Sequence, residues 1–385
     1  MPLVTQAHTP PALQRAARSI KRELHYSGPR VRRPCPAFQR AAVAQALFSV
    51  RALLESVAVA RATIVRCCAL KVAMLARVRG FERLLAFVKL GRPKFLVGGL
   101  VLFGLGTRLA LVDRGAIDWQ SYLLGQAFVT STQLMTHYAN DYFDLDADRA
   151  NLTPTRWSGG SRVLPSGELA PRVALNAALA LAALAIIGAA ILALTRPGLR
   201  LILPFAVLMV ALSWFYSAPP LRLLSRGLGE LTTALVVTLL TPLFGFYVQR
   251  GELALLPLLA CLPLCGLQFA MLLTIELPDA AGDAALGKRT LIVRRGAAWG
   301  ARAGAALVVA SFALLPVLAL CGLPWSIAAL AALSAPIAAW HAARLIRGAF
   351  REPRHYESLA FCSVLLLVSA ALGELAGTFF GGAGR

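Results

Sequence analysis

From Pro93 onward the chain alternates long apolar stretches with short polar ones. Each apolar stretch runs about 17 to 24 residues, enough for a helix to cross a hydrocarbon layer of ~30 Å. They lie near 94–113, 118–140, 172–195, 200–216, 230–248, 253–275, 302–321, 325–343 and 358–378. In lipid, every backbone N–H and C=O of such a run must be bonded within the segment, so these runs predict helices. The pattern therefore predicts an all-α polytopic membrane protein of about nine transmembrane helices, the fourth being short.

The first 82 residues follow another pattern. Basic residues from Arg15 to Arg79 face few acids, and Pro10, Pro11, Pro29, Pro34 and Pro36 interrupt the first forty positions. That stretch is expected to be disordered. From about Arg40 to Arg79 the pattern turns helical, with Arg51, Arg61, Arg66 and Arg77 on one arc, which suits a helix on an anionic membrane surface. An extension with no function of its own fits equally well. Two domains are expected, 1–82 as a basic extension and 83–385 as the membrane domain.

Composition agrees with lipid as the solvent. Hydrophobic residues make up 58% and charged residues 15%, against about 25% charged in a soluble chain. The net charge of +21 raises nucleic acid as a partner. The basic residues lie in the leader and in short loops, however, where membrane orientation accounts for them, so no nucleic-acid partner is expected. The loops holding Arg149, Arg156, Arg222, Lys288, Arg294 and Arg351 are richer in charge than the alternate set with Arg108, Arg196 and Arg250. The first set, with the N-terminus and the active-site loops, is expected on the cytoplasmic side of a cell (inner) membrane. Seven cysteines form no CxxC pair and are expected to be structural.

The chemistry lies in two acidic runs. The second span ends in Asn140-Asp141-Tyr142-Phe143-Asp144-Leu145-Asp146-Ala147-Asp148, and the sixth in Glu276-Leu277-Pro278-Asp279-Ala280-Ala281-Gly282-Asp283. Continued as helices, Asn140, Asp144 and Asp148 share one face, joined by Asp141, and Glu276, Asp279 and Asp283 share another. Asp144 and Asp148 each recur 135 residues later as Asp279 and Asp283, the mark of an internal repeat. Like charges at this spacing repel, and a bound cation relieves them. Hard oxygen ligands beside phosphate point to Mg²⁺, with Asp141, Asp144, Asp148, Asp279 and Asp283 as candidate ligands. Solvated loop acids are the plainer alternative. Two matched clusters at equivalent helix ends favour function.

Basic and small residues follow each cluster. Ser158-Gly159-Gly160-Ser161-Arg162 comes after the first and Gly287-Lys288-Arg289-Thr290-Leu291 after the second. Glycines let backbone N–H groups approach phosphate, while Lys and Arg supply charge. Arg162, Lys288 and Arg289 are candidate diphosphate ligands. Tyr216, Arg92 and Lys94 join them, although helix termination by Pro219-Pro220 and interface anchoring are their plainer roles.

Together, Asn140-Asp-x-x-Asp144-x-x-x-Asp148, the Gly-Gly-Ser-x-Val-Leu-Pro-Ser-Gly run, Tyr216-Ser-Ala-Pro-Pro220 and Asp279-x-x-x-Asp283 before Gly-Lys-Arg-Thr-Leu resemble the UbiA-type intramembrane prenyltransferases over residues 83 to 380. The wording is most similar to the 1,4-dihydroxy-2-naphthoate branch of menaquinone synthesis. The resemblance implies nine helices around a central cavity open to lipid, where a polyprenyl diphosphate lies under the Asp motifs. It also implies Mg²⁺ between carboxylates and diphosphate, with Asn140, Asp144 and Asp279 as catalytic residues. A small aromatic acceptor then captures the allylic cation. His137 stands where many relatives carry an amide and is the candidate acceptor-binding residue. Prenyl transfer to 4-hydroxybenzoate, a glycerol ether or a sugar phosphate is an alternative, and a transporter with paired acids is another class. The acids lie at span ends beside glycine-rich and basic loops, which speaks against transport.

Overall fold

The computed structural model describes residues 80–112 and 115–380, with the single further position Ala44. The expected leader helix and disordered stretch lie outside the described residues. After a helical run at 80–90 (α1), Pro93 opens α2 (Pro93–Leu109) from its first turn, where a missing N–H costs nothing. Asp118 caps α3 (Trp119–Phe143), its carboxylate accepting from the Ser121 N–H at 3.3 Å. Then come the short α4 (Leu145–Ala150), the long α5 (Pro171–Thr195) and α6 (Ile202–Phe215).

The second half begins with α7 (Gly229–Arg250), which contains a π-helical stretch at Ala234–Leu240. It continues with α8 (Leu255–Ile275), the short α9 (Ala280–Ala285) and α10 (Leu291–Arg295), α11 (Ala297–Leu320), α12 (Trp325–Ala332), α13 (Ala335–Ile346) and α14 (Tyr356–Gly377). No strand occurs among the described residues. The α9 boundaries fall 135 residues after those of α4, so the repeat inferred from the acids extends to the backbone. Asp144 and Asp279 are the equivalent N-cap residues.

Among the described residues, five helices are long and apolar enough to cross a membrane, and six if α12 and α13, bent by 49°, make one broken span. The other expected spans fall on α2, with 17 residues, α6, with 14, and α3, which carries too many polar side chains to qualify by composition. The protein is a multi-pass membrane protein. Its outward surface is studded with exposed Leu184, Ile187, Val207, Leu262, Val309 and Val317, as lipid contact requires. Where α2 crosses α7, Gly106 lies against the Pro242 backbone and Gly245 against that of Phe103. A side chain at either point would hold the helices apart. One end of the bundle gathers Asp118, Arg196, Gln249 and Arg250, tied by the Asp118–Arg196 ion pair at 2.5 Å. The opposite end gathers both acidic motifs.

Candidate active site

A cavity of about 290 Å³ runs into the bundle from the motif end, between α2, α3, α6, α7, α8 and α14. On α3 its wall extends from Asn140 to Val129, a depth of roughly 16 Å at 1.5 Å per residue. The inner wall is mainly apolar, with Leu102, Met209, Val237, Leu272 and Leu367 among its residues beside Thr132, Gln133, Thr241 and Gln268. The mouth is formed by Arg92, Asn140, Asp144, Asp148, Tyr216, Asp279, Asp283 and Lys288. A charged head and a greasy tail would each find a matching environment in one cleft.

The two motifs meet at the mouth. Lys288, beyond the second motif, places its ammonium 2.8 Å from Asp144 of the first motif and 3.1 Å from Asp283 of the second. Burial works against that ammonium, but Asp144 and Asp283 outweigh it and hold Lys288 above its ordinary range. Asn140 donates to Asp144 at 2.5 Å and to Ser217 at 2.9 Å, while Arg92 donates to Asn140 at 3.0 Å. Asp148 is pushed up to about 8 by burial, with Asp141, Asp144 and Asp279 adding to the effect against Arg92. Asp279 is pushed up to about 7 by burial and Asp283, against donors from Gly159 and Ser158. Burial also raises Asp283 despite Lys288.

Three predicted residues stand off the cavity wall. Asp141 is buried and saturated by the Arg92 guanidinium and by the backbone N–H and hydroxyl of Ser161, which leaves it as an anchor for Arg92. Arg162 turns back, at φ 66°, to the Asp148 carbonyl. Arg289 is exposed, and its N–H is spent on the Ser225 carbonyl at 2.8 Å. Lys94 lines the cavity, donates to the Arg156 carbonyl and lies 4.4 Å over the Trp157 ring. His137 also lines it, with Nδ1 2.8 Å from the Gly91 carbonyl. Because a carbonyl only accepts, Nδ1 carries the proton and Nε2 is left as the acceptor. Phe95 packs edge-on against His137 and against Trp157.

No group of three or more metal-ligating side chains converges among the described residues. The donors nevertheless suit a hard divalent cation. They are carboxylate oxygens with too little positive charge for their burial, and Asp148 Oδ2 is buried without any hydrogen-bond partner. Gly160 faces that atom at φ 73°, and a Cβ there would strike it. Only glycine leaves room for the Asp148 carboxylate at this position.

Two residues at this end, Asn151 and Glu230, have no counterpart among the predicted ones. Asn151 and Gly159 reach Asp279 from the first half. Glu230, at the start of α7, is buried beside Glu276. A lone acid opening an apolar stretch was a usable signal for Glu230.

Residues 100–365 match the model of the UbiA prenyltransferase family. The digeranylgeranylglyceryl phosphate synthase of Natronomonas pharaonis is 31% identical over 217 residues, 54% of this chain and 69% of that protein. A solved digeranylgeranylglyceryl phosphate synthase aligns with a TM-score of 0.55 at 17% identity, covering 78% of this chain and 99% of that one. A UbiA homolog from Archaeoglobus fulgidus bound to GPP and Mg²⁺ aligns with a TM-score of 0.51 at 17% identity, covering 75% and 99%. At such identities the structural likeness is one of fold.

Proposed function

The chain belongs to the UbiA prenyltransferase family and is a prenyltransferase, and from that premise we propose that it moves a polyprenyl group from its diphosphate to an acceptor held in the membrane. The observation that carries this reading is the junction at the cavity mouth. Two aspartate motifs, Lys288 and Arg92 crowd one end of a cleft whose other walls are mainly apolar. Asp144, Asp148, Asp279 and Asp283 would hold Mg²⁺, as their oxygen-only donor set and the unpartnered Asp148 oxygen support. When bound, the metal supplies Lewis-acid charge that stabilises the departing diphosphate. Lys288, Arg92 and Tyr216 orient the diphosphate head, and the apolar wall shields the allylic centre from water. Arg162 and Arg289, turned away from the wall, act as loop charges, and Asp141 acts through Arg92.

For the acceptor we favour a small aromatic ring, 1,4-dihydroxy-2-naphthoate, which places the product in quinone biosynthesis. The Asn140–Asp144 and Gly287–Leu291 wording supports it, together with the Phe95, His137 and Trp157 wall. His137 Nε2 is the group placed to accept an acceptor hydroxyl. A second reading draws on the Natronomonas relative, whose name implies a glyceryl phosphate lipid as acceptor. Loop charge supports a cell (inner) membrane with the N-terminus and the motif loops on the cytoplasmic side.

The deciding experiment supplies one labelled polyprenyl diphosphate and Mg²⁺ with three acceptors: 1,4-dihydroxy-2-naphthoate, 4-hydroxybenzoate and a geranylgeranylglyceryl phosphate. The highest kcat/KM is expected for the naphthoate. Preference for the glyceryl phosphate would replace the acceptor and leave the transfer reading intact, whereas no transfer to any of the three would count against that reading.

A further inference from the structure

The Asp279 carboxylate of the second motif takes its hydrogen bonds from the other half of the chain. Asn151 Nδ2 donates to Asp279 Oδ1 at 2.6 Å across 128 residues of sequence. The Gly159 N–H reaches Asp279 Oδ2 at 3.2 Å, so both carboxylate oxygens are fixed from the first half. Asn151 is itself locked, for its Oδ1 accepts from the Thr153 N–H at 2.9 Å. The Thr153 hydroxyl then donates to the Pro278 carbonyl at 3.1 Å. Underneath, a Cβ on Gly282 would come within 3.2 Å of the Asn151 nitrogen, so α9 sits directly on the end of α4. Asn151 is 5% exposed and lines the cavity.

We propose that Asn151 is a positioning residue for the reaction, holding the Asp279 carboxylate in the orientation that receives the metal–diphosphate head group. The inference rests on the reading of Asp279 given above. An asparagine amide suits this place because it donates to the carboxylate without adding a charge. Its oxygen is consumed by Thr153, so the amide cannot turn over and present an acceptor instead. A carboxylate freed of this bond would have to be ordered by the incoming ligand. Removing such a supporting hydrogen bond typically costs about 10- to 100-fold in metal affinity or activity.

The test uses the full chain with Mg²⁺ and geranyl diphosphate as probe. Three quantities are read: the Mg²⁺ concentration giving half of the ligand-induced rise in Tm, and kcat and KM in transfer. In Asn151→Ala that concentration is expected to rise about tenfold or more, with the unliganded protein still folded. Adding Asn151→Ala to Asp279→Asn should give no further rise, because the amide acts through Asp279. Should Asn151→Ala fail to fold, the near-isosteric Asn151→Leu, which lacks the donor and adds no charge, carries the same test with the same rise expected. Wild-type half-saturation in Asn151→Ala while Asp279→Asn is impaired would overturn the positioning role and leave the site intact. A fall in kcat alone, with half-saturation and KM unmoved, would overturn it too. If Asp279→Asn itself behaves as wild type, the reading of the site fails and takes this inference with it.

Discussion

The two halves of this protein end the same pair of helices in the same way and then treat their carboxylates differently. α4 and α9 are both six-residue helices with an aspartate at the N-cap position, Asp144 and Asp279. In the first half, Asp141 is neutralised locally by Arg92 and Ser161, while Asp148 is left with a bare oxygen. In the second half, Asp279 receives its donors from the first half, and Lys288 is shared between Asp283 and Asp144. Each motif is completed by residues of the other. The repeat therefore cannot work as two independent ligand sets, and a lesion on either side should disable the whole.

The sharpest test of that equivalence is symmetric. Asp144→Asn and Asp279→Asn each remove one charge without removing bulk. Each is expected to cut turnover on the order of a thousandfold, since metal-assisted charge stabilisation is worth several kcal/mol. Both proteins should still insert and purify. Steady-state transfer at saturating Mg²⁺ measures the loss, and a large loss in one variant beside near-wild-type turnover in the other would break the comparison. Lys288→Met comes next, with kcat/KM down on the order of a hundredfold, as for other lost charge clamps. Here the loss should appear with donor truncations as well as full-length donors, because the head group and not the tail is affected.

Gly160 separates geometry from strain in the first half. Gly160→Ala both occupies a left-handed conformation at φ 73° and drives a methyl into Asp148. Gly167 has a similar φ of 78° with open space around it. Gly167→Ala should cost only the conformational penalty, about 1–2 kcal/mol. Gly160→Ala should lower Tm further and reduce turnover about tenfold, on the scale of a supporting-shell lesion. Equal behaviour of the two variants, in melting and in transfer assays, would mean that the space beside Asp148 has no role.

Much of this was legible in the chain. The apolar runs fall largely on helices, five or six of them long and apolar enough to span among the described residues, because hydropathy and the need to bond every backbone group act locally. The repeated acids were visible as a fixed offset, and ten of the thirteen residues singled out line one cavity. The misses involve partners far apart in sequence. Asp141 looks like its neighbours until Arg92 and Ser161 are seen to saturate it, and Arg289 looks like Lys288 until its backbone is tied to Ser225. Asn151 is a polar residue one turn past Asp148, and nothing local connects it with Asp279. The break between α12 and α13 did carry a local signal, Ser334 at the N-cap with Pro336 in the first turn, which the apolar run 325–343 passed over.

The smallest effect tests the electrostatic side of the comparison. The Asp148 carboxyl stands at about 8 and that of Asp279 at about 7, burial being the main cause of both. An unfolded aspartate titrates near 3.9. Between about pH 4 and those folded values, the folded protein holds protons that the unfolded chain has released, so stability falls as pH rises. Without Mg²⁺, Tm should therefore decline from pH 4 and level off once pH passes about 8. The two halves contribute different parts of that decline. Donors from Gly159 and Ser158 hold Asp279 lower, so Asp279→Asn should flatten the slope up to about pH 7. Asp148 has a bare oxygen and lies higher, so Asp148→Asn should remove the segment between 7 and 8 as well. Melting curves in metal-free buffers across this range measure both. A Tm that rises with pH through the window would show that neither carboxyl holds its proton, and the contrast between the clamped and the open carboxylate would go with it.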